Sequence, residues 1–168
     1  MLPFPNYDRK PMNTLITPLQ ALKLAFGDGE YLPPSTFTEA QIAAAEERHL
    51  VPVVGRALHE RLLAGACPEL VADHLAAPLA LFVRLAAQPR LDIRTDRTGT
   101  AAPYTASGRP ADAEARRRAM RSLRTEARAL LRRAAAHIAA RPDLYPEYDP
   151  RRDILNRCST DGDLVQIR

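Results

Sequence analysis

Two complete helix-start signals lie near the beginning of the chain, and they constrain the fold more than any other feature. Thr17 is followed by Pro18 and then by Gln20, and Thr38 is followed at the same spacing by Gln41. In such a capping box the threonine hydroxyl accepts from the third helical N–H, and the glutamine side chain accepts from the threonine N–H. The two signals predict helices that begin at residues 18 and 39.

Prolines and glycines set the ends of the helices in the first half of the chain. We predict that Pro52 stops or kinks the second helix, that Gly65 ends the third, and that Pro78 kinks the fourth. Apolar residues then recur at helical spacing within each segment. The predicted helices cover residues 18–26, 39–50, 53–64 and 68–88.

The helical pattern is lost after the fourth helix, where polar residues, glycines and prolines predominate. We predict a long loop over residues 89–110, with a short strand at 91–93. A terminal strand is predicted from Leu164, Val165 and Ile167. The predicted organisation is an N-terminal arm (1–13), a helical domain (14–141) and a C-terminal tail (142–168).

The longest predicted helix covers residues 111–140 and carries two separate faces. At about 100° per residue, one face is apolar; its members are Ala119, Leu123, Ala127, Leu130, Leu131, Ala134 and Ile138. The other is a narrow row of five arginines that we call the arginine stripe: Arg117, Arg121, Arg124, Arg128 and Arg132. The stripe suits phosphate contact with DNA or RNA, docking on an acidic partner subunit, or a solvated face.

Composition favours a thin core that other chains complete. Hydrophobic residues make up 46% of the 168 residues, but many are alanine; aromatic residues make up 5% and tryptophan is absent. Alanine forms helices readily but buries little area. Of the 24 basic residues only Lys10 and Lys23 are lysines, and the net charge of +4 is too small by itself to indicate a nucleic-acid-binding protein.

The potentially reactive side chains match no catalytic or metal-binding motif. The histidines, His49, His59, His74 and His137, fall on four different predicted helices. Glu46 and His49 lie one turn apart on an inward face, as a buried acid–base pair or as a polar pair at a helix junction. Cys67 and Cys158 have no metal or redox spacing, and no nucleophile motif occurs. The sequence therefore predicts no enzyme activity, no cofactor and no metal site.

The sequence also predicts an intracellular protein. The N-terminus has no signal-peptide core, and no apolar run approaches the roughly 20 residues that span a bilayer. The cysteines are expected to be reduced thiols in the cytoplasm.

A resemblance to a known class of proteins begins in the second predicted helix. The pattern is a capped helix with the pair Ala45-Glu46, a turn containing Leu50, Pro52 and Gly55, and a helix of the form R-A-L-x-x-x-L-L. It resembles the head–tail connector proteins of tailed phages and prophages, also called adaptor or head-completion proteins. The similarity covers most of the chain from residue 15 onward and points to one uncharacterised prophage branch.

The resemblance implies a structural protein of the virion rather than an enzyme. Connectors form rings beneath the portal, join the DNA-filled head to the tail, and line the channel through which DNA passes. The helix signals and the absence of a sustained period-2 run predict an all-α fold, a compact bundle of about five helices with a long polar loop and extended N- and C-terminal arms. The expected partners are further copies of the chain, portal and tail proteins, and transient DNA, with no membrane or small-molecule substrate. The expected location is the cytoplasm of the bacterial host and then the virion.

Two other classes of function remain open on sequence grounds. The first is a basic nucleic-acid-binding accessory protein that uses the arginine-rich helix 111–141. The second is an enzyme of unknown type. Steep salt dependence of binding would distinguish the first from a connector.

Overall fold

The protein folds as a bundle of α-helices, as the sequence predicts. The computed structural model describes residues 13–27, 32–97, 99–101, 111–159 and 166–167, so the predicted arm over 1–13 lies outside this part except for Asn13. The helices of the described part are α1 (Pro18–Phe26), α2 (residues 39–54), α3 (Arg56–Leu63), α4 (Pro68–Asp92), α5 (Ala113–Ala139) and α6 (Ile154–Arg157), with a 3₁₀ turn at Pro34–Thr36. The all-α prediction is confirmed.

Both capping boxes form as predicted. The Thr17 hydroxyl accepts from the Gln20 N–H at 3.2 Å, and the Gln20 side chain accepts from the Thr17 N–H at 2.8 Å. Thr38 and Gln41 make the same reciprocal pair at 3.3 and 3.0 Å. These bonds satisfy helix N–H groups that would otherwise lack partners.

Of the two outcomes predicted for Pro52, a stop or a kink, the stop is wrong, because α2 continues through this residue. The helix consists of Glu39–Ala45, a π-helical turn at Glu46–Leu50, and a final α-helical segment, Val51–Val54. A proline ring normally clashes with the carbonyl four residues earlier, and the wider π turn gives that carbonyl room. The break comes at Gly55, whose φ of 85° strongly favours glycine, so α3 begins at residue 56 rather than 53.

Helix α4 also passes through the prolines expected to disturb it. A π-helical turn at Val71–Leu75 precedes Pro78, in the same arrangement as in α2. Pro89 does not end the helix as predicted. The Gln88 side chain accepts from Arg84 Nε at 3.4 Å and donates to Asp92 at 2.8 Å, which bridges the turn that contains Pro89.

The predicted loop over 89–110 therefore begins later, and the strand is displaced. Residues 91 and 92 are helical, and an antiparallel hairpin follows, made of β1 (Arg94–Asp96) and β2 (Gly99–Ala101). Two residues of the tail, β3 (Cys158–Ser159), pair with β4 (Gln166–Ile167). Of the predicted terminal strand, Ile167 lies in β4, and residues 164 and 165 lie outside the described part.

Helix α4 occupies the centre of the fold and packs against α1, α2 and α5. Its core side chains include Leu75, Leu79, Phe82 and Val83, each at most 4% exposed. By length and composition this helix could cross a membrane, which the sequence analysis did not anticipate, and 56% of its most apolar window is buried within the fold. Its three helical neighbours account for that apolar character.

Helix α5 begins and ends close to its predicted limits, but its apolar face is buried along only part of its length. Asp112 caps its first turn, accepting from the Ala115 N–H at 2.7 Å. Between Ala113 and Glu126 no residue of the helix is buried, and Ala119, predicted to face the core, is exposed. Burial starts at Ala127, and the buried residues from there on are Ala127, Leu131, Ala134, Ala135 and Ile138.

The described part of the C-terminal tail packs against the helices through residue 155. Arg61 on α3 donates to Leu144 O at 3.2 Å and to the Glu147 carboxylate at 2.9 Å. Tyr145 is 7% exposed, and Leu155 packs on the core cluster. Helix α6 contacts the last segment of α2, so the tail closes one side of the bundle instead of extending from it at this point.

Replacing Phe82 by alanine tests the central role of α4. The ring is 4% exposed, so its removal leaves a cavity and should lower the free energy of unfolding by about 3–5 kcal/mol in urea melts. Leu19→Ala, at a residue 48% exposed on α1, is the matched control and should cost under about 1 kcal/mol. If Phe82→Ala lowered the free energy of unfolding as little as Leu19→Ala does, the Phe82 ring would not be part of the core.

Candidate functional site

The arginine stripe lies on the outward side of α5 and continues from the unburied half of the helix to the core-packed half. Arg117 and Arg121 have side chains 68% and 64% exposed. Arg124 and Arg132 are also exposed, and Arg128 is half-buried. The structure thus places all five predicted residues along one side of the helix.

One acidic residue, Glu114, contacts the arginines at the N-terminal end of the stripe. Glu114 contacts Arg117 and Arg121 at 3.2 Å each, and Arg118 at 3.9 Å. All of these side chains are more than half exposed, so each pair contributes little stability. A single carboxylate cannot neutralise three guanidinium groups, and this end of the helix keeps a net positive charge.

A deeply buried polar side chain, that of Glu46, lies in the π-helical turn of α2. Its side chain is 2% exposed. One carboxylate oxygen lies 2.9 Å from Nε2 of His59 on α3, and the other accepts from the Leu15 N–H at 2.7 Å. Glu46 therefore connects the segment before α1, helix α2 and helix α3.

The predicted contact between Glu46 and His49 is wrong, because Glu46 pairs with His59 instead. In the π turn the hydrogen bonds span five residues rather than four, so each residue rotates through less than the roughly 100° of an α-helix and residues three apart no longer lie on one face. Glu46 points toward α3, and His49 points toward α4, where its ring stacks on Phe82 with centroids 4.0 Å apart and planes 7° apart. The π turn leaves no mark in the periodicity, so the sequence alone does not reveal it.

His49 forms one wall of a cleft between α2, α4, α5 and α6, which we call the His49 cleft. Its volume is about 250 Å³. It is lined by Arg48, His49, Pro52, Val53, Phe82, Arg128, Leu131, Arg132, Ile154 and Leu155. Burial, followed by the charges of Arg48, Arg128 and Arg124, lowers the pKa of His49 to about 4. The imidazole is neutral at pH 7, and the arginines carry the positive charge of the cleft.

The remaining histidines and cysteines form no metal centre in the described residues. His74 on α4 and His137 on α5 are adjacent, with ring centroids 3.8 Å apart, and burial lowers the pKa of His137, helped by His74 and Arg141. No group of three or more potential metal ligands occurs in the described ranges. Cys67 is a free thiol there.

Two further features are structural in character. An apolar groove of about 580 Å³ runs between residues 14–24 and helices α3 and α4, lined by Leu15, Leu24, Leu63 and Val71 among others. In the tail, Asp153 is 1% exposed and accepts from the Tyr148 hydroxyl at 2.7 Å. Burial raises the pKa of both the Asp153 carboxyl and the Tyr148 hydroxyl.

Removing the buried carboxylate should be far more damaging than removing its exposed neighbour. Glu46→Ala leaves His59 and the Leu15 N–H without partners, and we expect a loss of about 3–5 kcal/mol in unfolding free energy. Glu46→Gln should cost less, because an amide can serve both contacts. Glu47→Ala removes an exposed pair with Arg56 and should leave the free energy of unfolding almost unchanged. Equal losses for Glu46→Ala and Glu47→Ala in denaturant melts would contradict the role of Glu46.

His49 should make the folded state less stable in acid. The unfolded chain binds a proton near the ordinary pKa of 6.5, whereas the folded chain does so at about 4. Unfolding is therefore accompanied by proton uptake in that interval, and this contribution lowers stability as the pH falls from about 6.5 to 4. Stability curves of the wild type and His49→Gln, measured from pH 7 to 4, should converge toward acid pH. Parallel curves would show that His49 is not responsible.

Comparison with known proteins places the chain in a family but assigns no activity to it. No curated protein and no solved structure matches the chain. A family of unknown function, DUF6712, matches residues 36–154, which is more than two thirds of the chain. The matched range contains Glu46, His59, the whole arginine stripe and every lining residue of the His49 cleft except Leu155, and it starts after α1. The protein therefore belongs to the DUF6712 family.

Proposed function

We propose that this protein is a structural subunit of a prophage virion, a head–tail connector that assembles as a ring between the portal and the tail. The proposal rests on the resemblance of the α2–α3 module, with Glu46 buried at its centre and Gly55 at its turn. The helical fold is compatible with it. In this role the protein acts by binding and has no catalytic residues.

The observation that carries the proposal is the unburied N-terminal half of α5. Residues 113–126 form about 21 Å of helix with no fully buried residue, although Leu123 is partly buried against the core. Helical stability in proteins comes mainly from packing an apolar face. Such a segment suits a subunit in which neighbouring chains cover this part of the helix.

The arginine stripe gives that segment its chemistry. In a ring it would face either the DNA channel or an acidic surface on a neighbouring protein. Arginine suits both, because its planar group makes paired hydrogen bonds to phosphate or carboxylate. The proposed partners are further copies of the chain, portal and tail proteins and transient DNA, with the protein passing from the host cytoplasm into the virion and needing no membrane or small-molecule substrate.

The same stripe favours a second candidate, a nucleic-acid-binding accessory protein that works outside the virion. Phosphate contacts by several arginines would make the affinity fall steeply as the salt concentration rises. A plot of log affinity against log salt concentration should have a negative slope close to the number of contacts. Fluorescence anisotropy with a labelled DNA duplex, at about 50 and 200 mM salt, tests this candidate without any phage particle.

Charge reversal within the stripe tests the connector role. The variant Arg121→Glu/Arg124→Glu should keep wild-type helicity, because both residues lie off the buried face. Like charges facing each other cost several kcal/mol, and about 1.4 kcal/mol corresponds to tenfold, so joining of tails to connector-deficient heads should fall at least about tenfold. Tailed particles counted by electron microscopy after adding purified protein give the measurement.

Matched controls separate the stripe from general charge effects. Arg118→Glu/Arg133→Glu makes the same change in charge on the same helix outside the stripe, and it should complete heads like the wild type. If wild-type protein does not complete the heads, the connector role is wrong. If the Arg121/Arg124 variant completes heads and binds DNA as well as the wild type, the stripe is only a solvated face.

A further inference from the structure

The His49 cleft combines an apolar floor with a cationic rim. The floor and walls are formed by Val53, Phe82, Leu131, Leu155 and Ile154, and the last of these is 47% exposed although it is a large aliphatic residue. The rim carries Arg48 from α2 and Arg132 from α5, with Arg128 between them on the α5 side. Two different helices thus direct arginines at one small cavity.

Two of the rim arginines, Arg48 and Arg132, have no acidic partner among the residues that line the cleft. No lining residue is acidic. Arg48 and Arg132 are exposed, and neither forms a hydrogen bond or ion pair with the residues that the structure describes. The nearby Asp153 is buried, and its two oxygens already accept from Tyr148 and from the Leu155 N–H.

The size and shape of the cleft restrict what it can hold. Pockets for small molecules usually measure about 300–1,000 Å³, and this cavity is smaller, at about 250 Å³. It suits a single side chain inserted from a larger partner. The face of Phe82 is covered by the His49 ring at 4.0 Å, so that ring is not free to stack on a nucleic-acid base. A phosphate backbone would reach the arginines but would leave the apolar floor uncovered.

We propose that the His49 cleft binds an acidic segment of a partner protein that carries an aliphatic side chain. The aliphatic group enters the cavity between Phe82 and Ile154, and flanking carboxylates pair with Arg48 and Arg132. Arginine–carboxylate pairs are often bidentate and geometrically selective, and the aliphatic group covers the exposed surface of Ile154. The cleft shares Arg128 and Arg132 with the arginine stripe, but it lies beside the core-packed half of α5, so such binding does not depend on whether the protein belongs to a virion.

A short peptide provides a direct test. We would titrate ¹⁵N-labelled protein with the blocked peptide Gly-Asp-Leu-Asp-Gly and follow amide shifts by NMR. Shifts should centre on the cleft, including Arg48, Val53 and Ile154. Replacing the peptide leucine by glycine, or both aspartates by asparagine, should weaken binding at least about tenfold, which corresponds to about 1.4 kcal/mol.

Variants of the protein distinguish binding at the cleft from a general effect of the protein's positive charge. Arg48→Gln/Arg132→Gln should weaken peptide binding at least about tenfold, whereas Arg118→Gln/Arg133→Gln, with the same loss of charge outside the cleft, should leave it unchanged. Ile154→Gln should weaken binding, and Leu19→Gln, at an exposed residue of α1 that does not line the cleft, should not. Circular dichroism verifies that each variant is folded.

Three results would overturn the proposal. The first is no binding of the peptide at millimolar concentration. The second is equal binding of the leucine and glycine peptides, which would show that the cavity is not used. The third is that a DNA duplex, but not the peptide, changes the NMR amide shifts of the cleft residues at physiological salt. That result would show that the cleft binds phosphate.

Discussion

The pairing of the buried Glu46 carboxylate is the interaction on which the arrangement of the first three helices depends. An unpaired charge at this depth would cost several kcal/mol, but His59 and the Leu15 N–H occupy both oxygens. Each partner comes from a different part of the chain, so the charge is satisfied only when those parts are in place. In the described residues no buried side-chain nitrogen or oxygen lacks a partner. A polar contact thus supplies orientation where an alanine-rich core supplies little specific packing.

The two π-helical turns determine how helices α2 and α4 continue and, in α2, where the side chains point. Each precedes a proline, Pro52 in α2 and Pro78 in α4, and each lets the helix continue where a break or kink is otherwise expected. In α2 the turn also sends Glu46 toward α3 and His49 toward α4. The same local change in winding therefore creates both the buried pair and one wall of the His49 cleft. Such turns are frequently found at functional sites.

Positive charge is concentrated on one helix and reaches two distinct surfaces. The N-terminal half of α5 presents arginines without burying any residue in the subunit, whereas its C-terminal half is anchored by Leu131 and Ile138 and supplies Arg132 to the cleft. Apart from Leu155, both surfaces lie within the range shared with the DUF6712 family, and both suit acidic partners. A protein with this distribution is suited to binding other macromolecules, and the proposed connector role and the proposed peptide cleft each use one of the two surfaces.

The sequence by itself determined the local structure: the capped starts of α1 and α2, the extent of α5 and the exposed row of arginines. These follow from hydrogen bonding and periodicity within a few residues. Only the tertiary structure decided the continuation of helices through Pro52 and Pro89, the partner of Glu46, and the exposure of Ala119. The outcome at each of these positions depends on groups distant in sequence or on a change in helical winding. His59 lies 13 residues from Glu46, and the cleft joins four helices, so no local pattern in the sequence specifies either of them.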